Sequence, residues 1–408
     1  MRLNRPFTAM VVLITFVMIL FLNLNPDLTH TLRSGAKDLQ KSEGTTPALV
    51  ERSSVEPQRS VVVSEAFRSS IPQNGAYWNR LFYFGLKLLD EGGKALENAS
   101  DWSHCKENNL ETLQTNMHDF TSYPSRLQSF LQAINCKSPP VLLNQPGKCA
   151  SGPTFLLLAI KSNLRNFEER QAVRETWGRE GEYERGLRVR TVFLLGTSQA
   201  DVPDLNPLLT FEAKYYGDIV QWDFQDSFFN LTLKMNTFLQ WTIKHCPNVS
   251  FVFSGDDDVF VNTPALLGYL QSLEASKASR LYTGDIISTA SPHRDPKNKY
   301  YIPTSFYEGP YPAYAGGGGY VFSGALLQNL SSILNLIPFF PIDDVYVGMC
   351  FMALEVAPES NPQFRTFDIK VEDRENLCIH KNILLVHRRS PSESKRLWKG
   401  IHNPLLTC

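Results

Sequence analysis

Neither sign of charge prevails in this chain of 408 residues: 40 Lys and Arg stand against 41 Asp and Glu, a formal net charge of -1. The electrostatic footprint that nucleic acid or an anionic membrane calls for is missing, which argues against a DNA- or RNA-binding role. Cysteine is sparse, with seven in all (Cys105, Cys136, Cys149, Cys246, Cys350, Cys378 and Cys408). None stand in C-x-x-C spacing, so the redox and metal signatures that depend on it are excluded. No internal repeat or low-complexity tract marks the C-terminal half. No G-K-[ST] follows the glycine run at Gly316–Gly319, so it is not a nucleotide P-loop. With 43% hydrophobic and 20% charged residues the composition is that of an ordinary globular protein, and the length fits one large domain with accessory segments.

One apolar run is long. Phe7 to Leu24 carries no charge and follows Arg2 and Arg5; its about 18 residues reach the lower end of what spans a bilayer as a helix. A cleaved signal peptide is the competing reading, but the run exceeds a usual signal core and no small-residue cleavage pattern follows it. The basic N-terminal side places that side in the cytosol and the rest in a lumen, a type II signal anchor. An oxidising lumen permits disulfides among six of the cysteines, with connectivity left open; Cys350, inside an apolar run, also reads as a small buried residue. Asn-x-Ser/Thr sequons stand at Asn98, Asn230, Asn248 and Asn329.

The expected organisation is a cytosolic tail (1–6), the anchor (7–24), a flexible polar stem (25–75), an accessory lumenal region (76–150) and a catalytic domain (151–408). In the last, strands and helices alternate. Strands are read at 154–160, 190–196, 218–224 and 250–255, with helices over 168–177 and 231–245. That alternation implies an α/β domain with a mainly parallel sheet flanked by helices.

Asp256-Asp257-Asp258 ends the last of these strands, the edge where ligands bind in open α/β sheets. Adjacent carboxylates repel, and hard oxygens suit magnesium or manganese completed by a phosphate-bearing substrate. An acidic turn is the plain alternative; an EF-hand loop fails because its sixth and twelfth positions are Val261 and Leu267. Asp343-Asp344 opens a helix-like segment, either as a cap or as a general base. Gly316–Gly319 allows close backbone approach or a tight turn. The aromatics Tyr300 to Tyr320 offer stacking faces or core, and His387 is a metal ligand or a strand-end histidine.

In combination, FLLLAIKS (155–162), the R-x-x-x-R-x-T-W-G block of Arg170–Gly178, FFNLTLK (228–234) and FVFSGDDDVFVN (251–262) are a family pattern. YYIP (300–303), YPAYAGGGGYVFSG (311–324), PIDDVYVGMC (341–350) and LLVHRR (384–389) complete it. The chain resembles the Golgi β-1,3-glycosyltransferases, and most of all the N-acetyllactosaminide β-1,3-N-acetylglucosaminyltransferases. The resemblance implies a glycosyltransferase A-type, Rossmann-like fold and a UDP-sugar donor, UDP-GlcNAc, with manganese or magnesium held by Asp256, Asp258 and His387. It implies that Lys161 and Arg170 contact the nucleotide and diphosphate, with Asp256 and Asp257 in the same acidic motif, and that Gly317 and Gly318 lie against the donor sugar. Asp344 would be the base, with Asp343 as the alternative. The acceptors implied are glycans ending in β-galactose on glycoproteins or glycolipids, and assembly with itself or with other glycosyltransferases is compatible. A β-1,3-galactosyltransferase using UDP-galactose is the nearest rival. A lumenal glycan-binding protein would not need the two acidic clusters and Lys161 together, and a phosphoesterase would need more grouped ligands.

Overall fold

The sheet begins where the apolar runs begin. In the computed structural model, which describes residues 62–91, 102, 105, 107–198 and 204–408, β1 (Val141–Leu143) and β2 (Leu156–Lys161) lead into β3 (Gly181–Tyr183), β4 (Leu187–Thr197), β5 (Ile219–Gln225) and β6 (Phe251–Asp256). β7 (Phe260–Val261), β8 (Tyr282–Ile287), β9 (Tyr314–Ser323), β10 (Glu359–Ser360), β11 (Phe364–Arg365) and β12 (Leu385–Val386) follow. Six helices matter for the site: α1 (Glu65–Ser70), α2 (Tyr77–Asp90), α3 (Phe167–Glu175), α4 (Asn206–Tyr216), α5 (Leu231–His245) and α6 (Asp343–Ala353).

β2 is buried at every residue, as a continuous apolar run requires of a strand covered on both faces. Its side chains alternate. Leu157 and Ala159 join the core that includes α5 and α6, whereas Leu156, Leu158 and Ile160 join the core on the opposite face, with Trp177 and Leu209. The centre β5-β4-β2-β6 is parallel throughout.

The expectation of a mainly parallel sheet needs correcting: the sheet is mixed. β9 runs antiparallel to both β6 and β8, β1 and β3 pair antiparallel with β5 and β4, and β8 and β10 are parallel. A parallel return needs a crossover, usually helical. Between β8 and β9 the described chain holds no helix, and the strand comes back antiparallel. The glycine run is not a turn. It lies inside β9, and among the described residues none of its four members has a positive φ.

The described residues form one compact unit. Residues 62–75, grouped above with the stem on composition, belong to that fold. Phe67 of α1 is fully buried, and Ser64 ties to α6 through N–H to Ala353 O at 2.9 Å and Oγ to Met352 O at 2.7 Å. Trp78 of α2 is fully buried edge-on against Tyr307 and Phe340, and its indole N–H donates to the carbonyls of Pro338 and Phe339. Disulfides join Cys105–Cys136, Cys149–Cys246 and Cys378–Cys408, leaving Cys350 free and buried. The segment 7–24 lies outside the described residues, and no described helix is long and apolar enough to cross a membrane.

Candidate active site

β6 delivers the three aspartates to the carboxyl edge of the parallel strands, and they part company there. Asp257 turns toward the loop after β2, where Asn166 donates to its Oδ2 at 2.9 Å. Asp256 and Asp258 stay with His387, and the three offer ligand atoms within 4.8 Å of one another. Burial pushes the Asp257 carboxyl up to about 6, only partly offset by its bonds from Ser162 and Asn166.

His387 is oriented by its surroundings. Its Nδ1 lies 2.9 Å from the Thr366 carbonyl, which can only accept, so Nδ1 carries the hydrogen and Nε2 faces Asp258 Oδ1 at 3.2 Å. A neutral imidazole would set its lone pair against a carboxylate there, a repulsion relieved by a proton or a cation between them. The bond to Asp258 raises the imidazole pKa against the opposing effect of burial. Burial would lift Asp258, but His387 outweighs it and holds the carboxyl below its ordinary value. Two hard carboxylates and an imidazole fixed through its other nitrogen fit a divalent cation.

Lys161 ties the two acidic motifs together. It is the register partner of Asp256 on the neighbouring parallel strand, so the two side chains project together. Its Nζ contacts Asp256 Oδ1, Asp343 Oδ2 and the Gly317 carbonyl, each at 3.1 Å. An ammonium has three donors, and all three are committed. Burial opposes the charge, yet Asp256 and Asp343 override it and raise the pKa well above the ordinary lysine value. In this structure the ammonium is an internal tie between the two acidic motifs.

Arg170 departs from expectation. Its guanidinium has no exposed surface, grips Glu212 with two bonds of 2.8 and 2.6 Å, and holds the Asn163 carbonyl at 2.6 Å. Arg174, one turn on, bridges Glu212 and Asp218. These arginines fasten α3 to α4, and Arg170 also holds the loop after β2.

Asp343 and Asp344 do not cap their helix; the position before it is Ile342, with no side-chain cap. Asp343 goes to Lys161. The half-buried Asp344 accepts the Gly317 N–H at 3.2 Å and the Val345 N–H at 3.0 Å. Burial, reinforced by the neighbouring Asp343, pushes its carboxyl up to about 7. The glycines make this arrangement possible. A Cβ on Gly317 would stand 3.3 Å from Asp344 Oδ2, and one on Gly318 would stand 3.1 Å from His387 Nδ1. Two consecutive strand residues thus present opposite sides, one to Asp344 and the other to His387.

Sequence reasoning missed Thr366, which orients His387 and carries no motif, and Asn166, whose place before an apolar-patterned helix was a readable signal. It also missed the role of Lys234, inside FFNLTLK. Lys234 is buried, pairs with Asp226 at 2.8 Å and donates to the Ser162 carbonyl at 2.8 Å, which clamps the chain just after β2.

The chain is 43% identical over 360 residues to N-acetyllactosaminide beta-1,3-N-acetylglucosaminyltransferase 2 of Mus musculus, covering 85% of this chain and 90% of that one. The chain belongs to the β-1,3-glycosyltransferase family. Residues 168–362 match the family model described as Galactosyltransferase. This β-1,3-glycosyltransferase is also 37% identical over 394 residues to human UDP-GlcNAc:betaGal beta-1,3-N-acetylglucosaminyltransferase 8, covering 95% of this chain and 96% of that one. Human N-acetyllactosaminide beta-1,3-N-acetylglucosaminyltransferase 4 is 44% identical over 289 residues, covering 70% and 75%. The matched stretch contains the acidic triplet, the glycine run and Asp343-Asp344.

Proposed function

We propose that this glycosyltransferase moves N-acetylglucosamine from UDP-GlcNAc to the 3-hydroxyl of a terminal β-galactose, with inversion, and so extends poly-N-acetyllactosamine chains. The names of the relatives support this donor and acceptor, and the fold is then of glycosyltransferase A type. The observation that carries the chemistry is the arrangement on β9, where the Gly317 N–H donates to Asp344 and any side chain on the neighbouring Gly318 would crowd His387.

Asp344 is the base. It takes the proton of the acceptor hydroxyl as that oxygen bonds to the anomeric carbon; the bond to the diphosphate breaks, and UDP leaves with the electron pair. A carboxyl held near 7 balances the ionised fraction against proton affinity at neutral pH. Asp256, Asp258 and His387 would hold manganese or magnesium, which when bound offsets the charge on the leaving diphosphate. Asp257 steadies the loop after β2 through Asn166, Gly317 and Gly318 leave room for the sugar, and Lys161 keeps Asp256 and Asp343 in place. Arg170 acts at one remove, through the loop it fastens.

The chain's place in the cell follows from the same reading: a Golgi membrane, a signal anchor at 7–24 and a lumenal enzyme acting on galactose-terminated glycoproteins or glycolipids, with no nucleic-acid partner. The tail (1–6), stem, accessory region (76–150) and catalytic domain (151–408) follow in order. The test is acceptor-dependent UDP release by the lumenal part. UDP-GlcNAc should exceed UDP-galactose on an N-acetyllactosamine acceptor; the reverse preference moves the enzyme to the galactosyltransferase branch, and no release from either removes the reading.

A further inference from the structure

β6 and β8 run in the same direction on either side of antiparallel β9, so both end at the same edge of the sheet. One ends in Asp256. The other carries Asp285 just before its end. Two strand spacings separate them, roughly 9–10 Å, and the span between is the glycine run. The pairing of β8 with β9 jumps from Gly284–Tyr320 to Ile286–Ala315, so four glycines bulge opposite the single residue Asp285.

The Asp285 carboxylate feels the charge of Arg365 without being in contact with it. It forms no ion pair among the described residues, and its one hydrogen bond is Oδ2 accepting the Thr366 N–H at 3.3 Å. Oδ1 is left open. The group is half-buried, and burial raises its pKa. Thr366 is also the residue whose carbonyl orients His387 and whose methyl would sit 2.6 Å from a Cβ on Gly316. Asp285 does not converge on the Asp256–Asp258–His387 ligand set. A partly desolvated carboxylate with a free oxygen, beside a floor without side chains, is matched by neutral groups that only need to donate: sugar hydroxyls.

We propose that Asp285 binds hydroxyls of the hexosamine carried by the donor nucleotide. The inference rests on the reading above, in which diphosphate lies at the acidic edge and the sugar against the glycines. From Asp256 a pyranose lying across the bulge reaches Asp285, and the carboxylate holds the sugar while making no contact with the nucleotide. It is a specificity residue for the transferred sugar, distinct from the base.

The test compares UDP with UDP-GlcNAc on manganese-loaded enzyme. Asp285→Asn keeps an oxygen for the Thr366 N–H but loses the charge. The Michaelis constant for UDP-GlcNAc should rise about ten- to a hundredfold, the range of a hydrogen bond to a charged group, while the Kd for UDP and the melting temperature stay at wild-type values. A parallel weakening of UDP makes Asp285 merely structural and overturns the proposal, as does an unchanged Michaelis constant. Wild-type enzyme that releases UDP from neither sugar nucleotide would instead sink the functional reading itself.

Discussion

Lys161 and Asp343 meet in the protein interior at 3.1 Å, 182 residues apart in sequence, and the same ammonium reaches Asp256 at 3.1 Å. The second acidic motif is thereby locked to the first. Lys161→Met strands the buried Asp343 and takes the partner from the partly exposed Asp256, and breaking a buried pair costs about 3–5 kcal/mol. Turnover should vanish and the denaturation midpoint fall. An active, fully stable variant would show that the tie is dispensable.

Asp344→Asn is the complementary case. It keeps an oxygen for the Gly317 N–H but cannot take a proton. The expected loss in kcat is about 10²–10⁴-fold, with UDP affinity unchanged. The wild-type kcat should rise with pH around 7, since only the ionised carboxylate accepts the proton. The stability sign is opposite. Because the folded pKa is raised, the native state binds more protons than the unfolded chain between about 4 and 7, and stability falls as pH rises through that window. Asp344→Asn should flatten that slope, as urea titrations at several pH values can check.

Chelation should abolish activity and manganese or magnesium restore it. Asp258→Ala and His387→Ala should both lose this rescue while keeping their fold. Proton and cation compete for His387 Nε2, so cation affinity should fall as pH drops below the raised imidazole pKa. In cation-free protein the His387–Asp258 pair stabilises below about 6.5, the unfolded value, and that contribution is lost as pH rises through the folded pKa. Calorimetric cation titrations at pH 5.5 and 7.5 read the difference directly.

Arg170 gives a stability phenotype and no binding phenotype of its own. Arg170→Ala removes two bonds from the buried Glu212, which keeps Arg174, so the loss should fall below the about 3–5 kcal/mol of a fully broken buried pair. UDP affinity per folded molecule should stay within a few-fold of wild type. A large affinity loss in stable protein would restore the direct nucleotide contact expected from sequence.

The strands and helices around the site were legible because their patterns are local. The continuous apolar run before Lys161 announces a doubly covered strand, and the helix at Leu231–His245 stands with the boundaries its spacing and the following Pro247 dictate. The aspartates were legible as a cluster, since like charges at a strand end demand a reason. What stayed hidden depends on register between distant segments. Nothing near Lys161 says that its donors go to Asp343 and Gly317. Nothing near Thr366 says that its carbonyl sets a histidine tautomer. The direction of β9 was missed for the same reason, because a glycine-rich strand lacks the β-branched residues that signal one.

The seam at Ser64 bears on where the chain tolerates proteolysis. A protease that cuts before Val62 leaves the two Ser64 bonds to α6 and the Phe67 socket intact, so the remaining chain should keep its activity. A cut between Ile71 and Ala76 removes that seam from the helix whose first turn carries Asp343 and Asp344. The position of a single nick should therefore decide whether the catalyst survives proteolysis.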